Sequence, residues 1–359
     1  MQVRRLLPEE HGMTRALYEE AFPEDSQRFV DYYYTEVVKN NRIYVVEEDG
    51  GIRAMLHLNP YKVRLNGDEN ELDYIVAVAT QKEYRRRGYM AALIKMVLQD
   101  MYQEGKPLTY LMPAREEIYL PHDFRTVYEQ DIPWRKDAEE SDAEGIRERN
   151  AEDVCLTELE EEQCKALADF AEKYLAENYQ MYTMRDQAYY ERMKREYTCD
   201  DGKIFVRTKD GQIVGCEYYY PPEERSGEMP EETSEGNAEE KREQAPKIMV
   251  RIVDVKRMLM SMRLRTLMAA CFTVTDPLVE ENNCCITVTG TEFSGVLLME
   301  GLPKNSEGIL TIAALTELLF GVKTAEELCE EDGVQMSERL KDEFKKLIPI
   351  KQIYLNEMV

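Results

Sequence analysis

The sequence predicts an α+β protein built from three successive domains. Three observations lead there. A strand, a basic glycine turn and an amphipathic helix follow one another between Leu72 and Leu98. Two helices followed by a hairpin occur near the start of the chain and again in its middle. A meander of strands backed by helices occupies the last third.

The elements follow in order. Val3 to Leu7 reads as a short strand, and Pro8 and Glu9 open a helix, proline being suited to a first turn. Leu17, Tyr18, Ala21 and Phe22 give that helix an apolar face, and Pro23-Glu24-Asp25-Ser26 breaks it. A second helix is expected from Gln27 to Lys39. Ile43 to Glu47 and Ile52 to Leu58 form a hairpin around Asp49-Gly50-Gly51. Val63 and Leu65 read as an irregular edge before Asn66-Gly67. Tyr74, Ile75, Val76 and Val78 then make a strand without a breaker. Met90, Leu93, Ile94, Val97 and Met101 recur at helical spacing and give one apolar face. Leu108 to Met112 is the next strand.

The turn between that central strand and its helix carries Arg85, Arg86, Arg87 and Gly88. A helix start exposes unpaired backbone N–H groups at the positive end of the dipole, which makes an anion site. Gly88 lets backbone approach a bulky phosphate, and arginine suits phosphate oxygens. A solvated basic run is the bland alternative, but three adjacent arginines in so acidic a chain favour an anion site.

Val-Ala-Thr-x-x-x-Tyr-Arg-Arg-Arg-Gly-Tyr-Met resembles the acetyl-CoA signature of the GCN5-related N-acetyltransferases (GNAT). The resemblance implies a strand that splays open at Val78, Ala79 and Thr80, where a pantetheine arm pairs with backbone. It implies a pyrophosphate site from Arg85 to Ala91, through Arg86, Arg87, Gly88, Tyr89 and Met90, with Ala114 a further cofactor contact. Met90 stands where the family has Gly or Ala, and only its backbone N–H is needed. Tyr119 is placed like the tyrosine that faces the departing thiolate, and a phenol near pKa 10 suits a thiol near 8.5. Phe22 and Asp25 are candidates to line the acceptor pocket, although capping explains Asp25 equally well.

Composition narrows the partners. The formal charge is −25, from 71 acidic and 46 basic residues, which argues against nucleic acid. The 8 cysteines include no CxxC pair and read as reduced thiols of a cytoplasmic protein. The 3 histidines, His11, His57 and His122, are too scattered for a metal cluster, so no metal is expected. No signal peptide and no membrane-spanning run is apparent.

Residues 1–136 are expected to form the first domain and 137–247 the second. Leu159 to Asn178 and Arg185 to Tyr197 are its helices. Ile204 to Thr208 and Gln212 to Tyr218 form its hairpin around Asp210-Gly211. No arginine-glycine turn follows, so this reads as a degenerate copy of the first domain. The glutamate-rich segment 221–246 is expected to be a disordered insertion.

The third domain is assigned to 248–359. It opens with a strand at Ile248 to Val255 and an amphipathic helix from Lys256 to Ala270. Strands follow at Cys271 to Thr275, Cys284 to Thr289, Phe293 to Met299 and Ile309 to Ile312. Helices then run from Ala313 to Phe320, near Ala325 to Cys329 and from Glu338 to Leu347. Arg251-Ile252-Val253-Asp254-Val255 and Thr311 to Gly321 resemble the sterol-carrier-like (SCP2-like) third domain of the Eis acetyltransferases. That resemblance implies a terminal carboxylate, here on Val359, as general base.

The resulting expectation is a cytoplasmic enzyme that transfers acetyl from acetyl-CoA, as co-substrate, to a small-molecule primary amine resembling an aminoglycoside or a lysine. No nucleic acid or membrane partner is expected, and homo-oligomerisation is left open. The alternatives are a lipid or small-ligand binding protein and a non-catalytic acetyl-CoA sensor.

Overall fold

A nine-stranded mixed sheet carries the first domain in the computed structural model, which describes residues 1–129, 154–219 and 246–357. The described residues divide into two units. One holds residues up to Glu129, Leu175–Met184 and those from Lys247 onward. The other holds the described residues up to Tyr174 on its first segment and from Arg185 on its second.

In the first unit, β1 (Gln2–Arg5) leads through α1 (Arg15–Ala21) and α2 (Gln27–Tyr32) to β2 (Arg42–Glu48), β3 (Gly51–Leu65) and β4 (Asp68–Thr80). After α3 (Tyr89–Gln103) come β5 (Leu108–Leu111) and β6 (Arg125–Glu129). Residues of α3 spaced by three and four, Leu93, Ile94, Val97, Leu98 and Met101, are buried against Leu56, Leu58, Ile75 and Leu111 of the sheet. Burying each such side chain is worth about 1.5–3 kcal/mol.

Two expectations about this region change. Val63 and Leu65 are not an irregular edge. They continue β3 and pair with Asn70 and Asp68 of β4, because Tyr61, Val63 and Leu65 alternate into the interior. The helix expected to Lys39 stops at Tyr32, continues as one π turn (Tyr33–Val37) and closes as a 3-10 turn (Val38–Asn40). The π turn shifts the helical face so that Tyr33, Val37 and Val38 are all buried.

The second unit holds a three-stranded antiparallel sheet in the order β10-β9-β7, from β7 (Val154–Glu158), β9 (Lys203–Lys209) and β10 (Gln212–Tyr219). The hairpin at Asp210-Gly211 is as expected, with both residues at positive φ. Strand β7 was not foreseen, nor was β8 (Met181–Thr183), which belongs to the first unit and pairs with β3 there. The expected helices appear at Glu161–Asn178 and Gln187–Cys199.

The largest correction concerns the start of the third domain. β11 (Lys247–Ile252) does not open a separate domain. It lies between β5 and β6, antiparallel to both, and completes the first domain's sheet. The 136/137 boundary and nearly all of the 221–246 insertion lie outside the described residues.

The expected helix from Lys256 to Ala270 is only six residues long, Val255–Met260, capped by Asp254. β12 (Arg263–Leu264) and β13 (Met268–Thr275) replace its remainder, because alternate burial along β13 fits a sheet. β14 (Cys284–Thr291), β15 (Gly295–Glu300), β16 (Gly308–Thr311) and β17 (Gln335–Met336) complete a sheet in the order β15-β14-β13-β16-β17. Helices Ile312–Leu319, Ala325–Leu328 and Glu338–Phe344 follow the expected order. β18 (Leu347–Ile348) pairs with β12, and β19 (Ile353–Tyr354) runs parallel to β8. No helix among the described residues is long and apolar enough to cross a membrane.

Candidate active site

Strands β4 and β5 are parallel neighbours for only two residue pairs, Tyr74 with Tyr110 and Ile75 with Leu111. Beyond Ile75 they part. The local cause is in β4. Ala77 has φ +49°, and the register against β3 slips between Met55 and His57, the signature of a β-bulge. The bulge increases local twist there, and β5 itself ends at Leu111. Ala79 and Thr80 pair with β3 on one side, and Val78 to Thr80 have no strand partner on the other among the described residues. The sequence resemblance implied a strand that splays open at these three residues.

The turn after β4 ends at Gly88, with φ +81°, and α3 begins there without any side-chain cap. A Cβ at Gly88 would meet nothing within 4 Å, so conformation and ligand approach require glycine here, not packing. The N–H groups from Gly88 to Ala91 donate to nothing within the described residues, and the first helical bond outward is Ala92 N to Gly88 O at 3.1 Å. Open amides at the positive end of a 15-residue helix are suited to an anion.

The three arginines are not equivalent. Arg85 Nε donates to Thr80 O at 3.2 Å. Arg87 lies over the Tyr84 ring at 4.6 Å, and Arg53 sits at the same distance from that ring. Arg86, at φ +63°, is exposed and makes no side-chain hydrogen bond, ion pair or ring contact among the described residues. It is the cation free to meet a phosphate. Tyr89 turns inward and Met90 is half-buried, so both offer backbone only.

Tyr119 sits where two short 3-10 turns meet, Glu116–Ile118 and Leu120–His122. Its ring packs edge-on against Phe124 with centroids 5.9 Å apart. Burial pushes its phenol up to about 12, so it stays protonated at neutral pH. Its hydroxyl has no hydrogen bond within the described residues and is not sealed from solvent. Ala114 is exposed just after β5.

Phe22 and Asp25 lie in the link between α1 and α2. Phe22 packs on Tyr18 at 4.8 Å, and the Tyr18 hydroxyl donates to Asp25 Oδ2 at 2.7 Å. Capping does not explain Asp25, since Ser26 Oγ caps α2 by accepting from Phe29 N. Val359 lies outside the described residues. The tail that precedes it is placed as far as Glu357, which is buried. Burial, with the Glu357 carboxylate adding to it, raises the phenols of both Tyr74 and Tyr110.

Sequence reasoning missed two residues near this site. His57 pairs with Val76 beside the bulge and is fully buried, and burial lowers its pKa to about 3. The Tyr33 hydroxyl lies 2.9 Å from its Nδ1. Arg251, in β11, is fully buried and donates from Nε to His122 O at 2.9 Å and from Nη2 to Asp276 Oδ1 at 2.6 Å. A lone arginine inside the run Ile248-Met249-Val250-Arg251-Ile252-Val253 was the available signal. A cation in such a run must be paired or costs several kcal/mol.

A family model described as an acetyltransferase (GNAT) domain matches residues 2–127. The chain thus carries a GNAT N-acetyltransferase domain, the catalytic fold of an acyltransferase. No curated protein matches the chain. Similar crystal structures include a probable N-acyltransferase, described as a conserved protein of unknown function, from Enterococcus faecalis. It is 16% identical, with 99% of each chain covered and a TM-score of 0.72. A GCN5-related N-acetyltransferase from Anabaena variabilis is 15% identical, covering 98% of this chain and 99% of that one, with a TM-score of 0.73. Eis1 from Mycobacterium abscessus is 15% identical over 99% of each chain, with a TM-score of 0.68. At such identities the likeness is one of fold.

Proposed function

We propose that this chain uses its acetyltransferase domain to move acetyl from acetyl-CoA to a primary amine, by direct attack of the amine on the thioester. The observation that carries the reading is the junction at Gly88. A parted strand leads into an uncapped helix start that offers open amides and an uncommitted Arg86. Backbone N–H groups of the parted β4 would hold the oxyanion that develops during transfer. Phe22 and Asp25 would contribute to the acceptor pocket. The Asp25 carboxylate suits an ammonium, and Phe22 its apolar body.

Tyr119 would serve the departing sulfur. Its phenol near 12 stands about 3.5 units above a thiol near 8.5, roughly 5 kcal/mol. It therefore donates a hydrogen bond that stabilises charge on the sulfur as the C–S bond breaks, and coenzyme A leaves as a hydrogen-bonded thiolate that takes its proton from solvent. The α-carboxylate of Val359 is the proposed proton acceptor from the amine. An ordinary α-carboxyl, near 3.3–3.7, needs burial or a water relay to do this. The fold-level likeness to Eis1 supports an Eis-type reading, with the second unit a degenerate transferase and the last sheet sterol-carrier-like. The same reading takes a small amine as acceptor and a cytoplasmic setting.

The test is coenzyme A release against a panel of primary amines. Tyr119→Phe is expected to lower turnover on the order of 10²–10⁴-fold with acetyl-CoA affinity nearly unchanged. Equal turnover in that variant removes Tyr119 from the mechanism. An absence of release with every amine, despite tight acetyl-CoA binding, would turn the reading toward a sensor. Blocking the terminal carboxylate with an added segment tests Val359 separately, with amine acetylation expected to fall while acetyl-CoA binding persists.

A further inference from the structure

We propose that Arg251 is a positioning residue for acetyl transfer, holding the turn that carries Tyr119 to a fixed carboxylate, Asp276, from a strand that enters the sheet late in the sequence. The proposal rests on Tyr119 being the group that faces the leaving sulfur.

The geometry is specific. Tyr119 has no side-chain hydrogen bond to fix its ring within the described residues. Its direction must come from its backbone and from Phe124. That backbone is a tight knot. His122 N donates to Tyr119 O at 2.9 Å, Phe124 N reaches the same oxygen at 3.4 Å, and Asp123 sits at φ +63°. The His122 carbonyl at the centre of this knot accepts from Arg251 Nε at 2.9 Å.

The other arms of the guanidinium reach beyond the His122 carbonyl. Nη1 donates to Ile252 O at 2.8 Å, and Nη2 donates to Asp276 Oδ1 at 2.6 Å. Asp276 is itself immobilised. Its Oδ1 also accepts from Leu278 N and Val279 N, and its Oδ2 accepts from Asn282 Nδ2. An anchored carboxylate, a planar fork and a carbonyl of the Tyr119 turn therefore form one line. Asp123 adds a second carboxylate at 4.0 Å from Nη2.

A buried guanidinium is not needed to build β11, since any apolar residue would satisfy the sheet at that position. Burying a charge is costly, and two of the three bonds it makes here fix the turn and the β13–β14 link. Lysine cannot replace the fork, because a single ammonium cannot present three diverging donors in one plane.

The test uses Arg251→Lys in the full chain, with Asp276→Asn as the second variant should the first not fold. Two readings are taken. The first is turnover against the KM for acetyl-CoA, with and without Tyr119→Phe. The second is the titration of a fluorotyrosine placed at 119, followed by its fluorine resonance. Burial alone raises this phenol; the titratable and charged residues next to it along the chain are Glu116, Glu117, His122, Asp123 and Arg125, Arg251 holds the His122 carbonyl, and Tyr74 interacts with it electrostatically. In Arg251→Lys, turnover is expected to fall about 10–100-fold with KM within about twofold, in keeping with misplacement of a reacting group. The loss should vanish in the Tyr119→Phe background. The fluorotyrosine midpoint should fall by about one unit or more as water reaches the ring. A midpoint that stays in place, or an equal loss with and without Tyr119, overturns the proposal. If Tyr119→Phe by itself leaves turnover intact, the acid role fails, and the titration alone decides whether Arg251 holds the turn.

Discussion

Two strand-to-helix junctions in this molecule are alike in sequence economy and opposite in chemistry. β4 passes through Gly88 into α3, and β16 passes through Thr311 into the helix Ile312–Leu319. At the second, Thr311 Oγ1 accepts from Ala314 N at 3.1 Å and closes the helix start with the protein's own oxygen. At the first, no side chain does this. The helix Gln187–Cys199 is closed in the same manner as the Thr311 junction, by Asp186 accepting from Tyr189 N at 2.8 Å. A helix start left open by its sequence is one where a ligand supplies the missing acceptor. The comparison teaches that the absence of a cap, together with a parted strand, marks the candidate site more sharply than the basic run does.

The strongest way to break the comparison is to distort the open junction. Gly88→Val places a β-branched residue at φ +81° and should turn the amides away from their ligand. Losing two charge-assisted contacts at roughly 1.5–3 kcal/mol each predicts acetyl-CoA affinity lower by more than about 100-fold. The added side chain has open space, so the variant should still fold. Calorimetric titration with acetyl-CoA decides it, and unchanged affinity would sink the anion-cradle reading.

Next comes the free cation. Arg86→Ala should weaken acetyl-CoA by roughly 1.5–3 kcal/mol, and Arg87→Ala by less, because Arg87 is engaged with Tyr84. Pantetheine, which lacks the phosphates, should bind both variants and the parent alike. Equal losses for Arg86 and Arg87 would show that the ring contact does not reserve Arg87.

The open junction should also carry an acid sensitivity, through His57 opposite its bulge. The folded pKa, about 3, lies below the unfolded value near 6.5. The unfolded chain therefore binds the proton first, and stability is lost as pH falls from about 6.5 toward about 3. At pH 5 the loss is about 1.5 units, roughly 2 kcal/mol. Urea unfolding across this range should show it, and His57→Gln should flatten the slope. An unchanged slope would assign the acid limb to other groups.

The smallest effect belongs to the closed junction. Thr311→Ala should cost about 1 kcal/mol of stability and leave acetyl-CoA affinity unchanged. A change in affinity would mean the two helix starts are not independent.

Much of the candidate site was legible because its signals are short. Gly88, the three arginines and the helical spacing from Met90 to Met101 lie within one stretch, and each acts on its immediate neighbours. The bulge was not legible. Ala77 carries no side-chain cue for positive φ, and its conformation comes from the slip against β3. The roles of the individual arginines were hidden for the same reason, since the Tyr84 ring, which Arg53 also meets, reaches Arg87 only through the turn's folded path. The helix foreseen from Lys256 to Ala270 failed because pairing with β14 outweighs a local helical pattern.

The sequence by itself determined the candidate anion-binding turn, the placing of Tyr119 after β5, and the order of helices and strands through most of the first domain. These depend on backbone preference and on periodicity over a few residues. Only the tertiary structure decided where β11 belongs. Its apolar run suits any buried sheet position, and nothing in the run names β5 and β6 as partners. Strand pairing across a long insertion is a choice among distant surfaces. The register that wins buries Met249 and Val253 in the α3-side core and brings Arg251 to the His122 carbonyl. Burial and charge pairing settle it together, and both exist only once the sheet has closed around them.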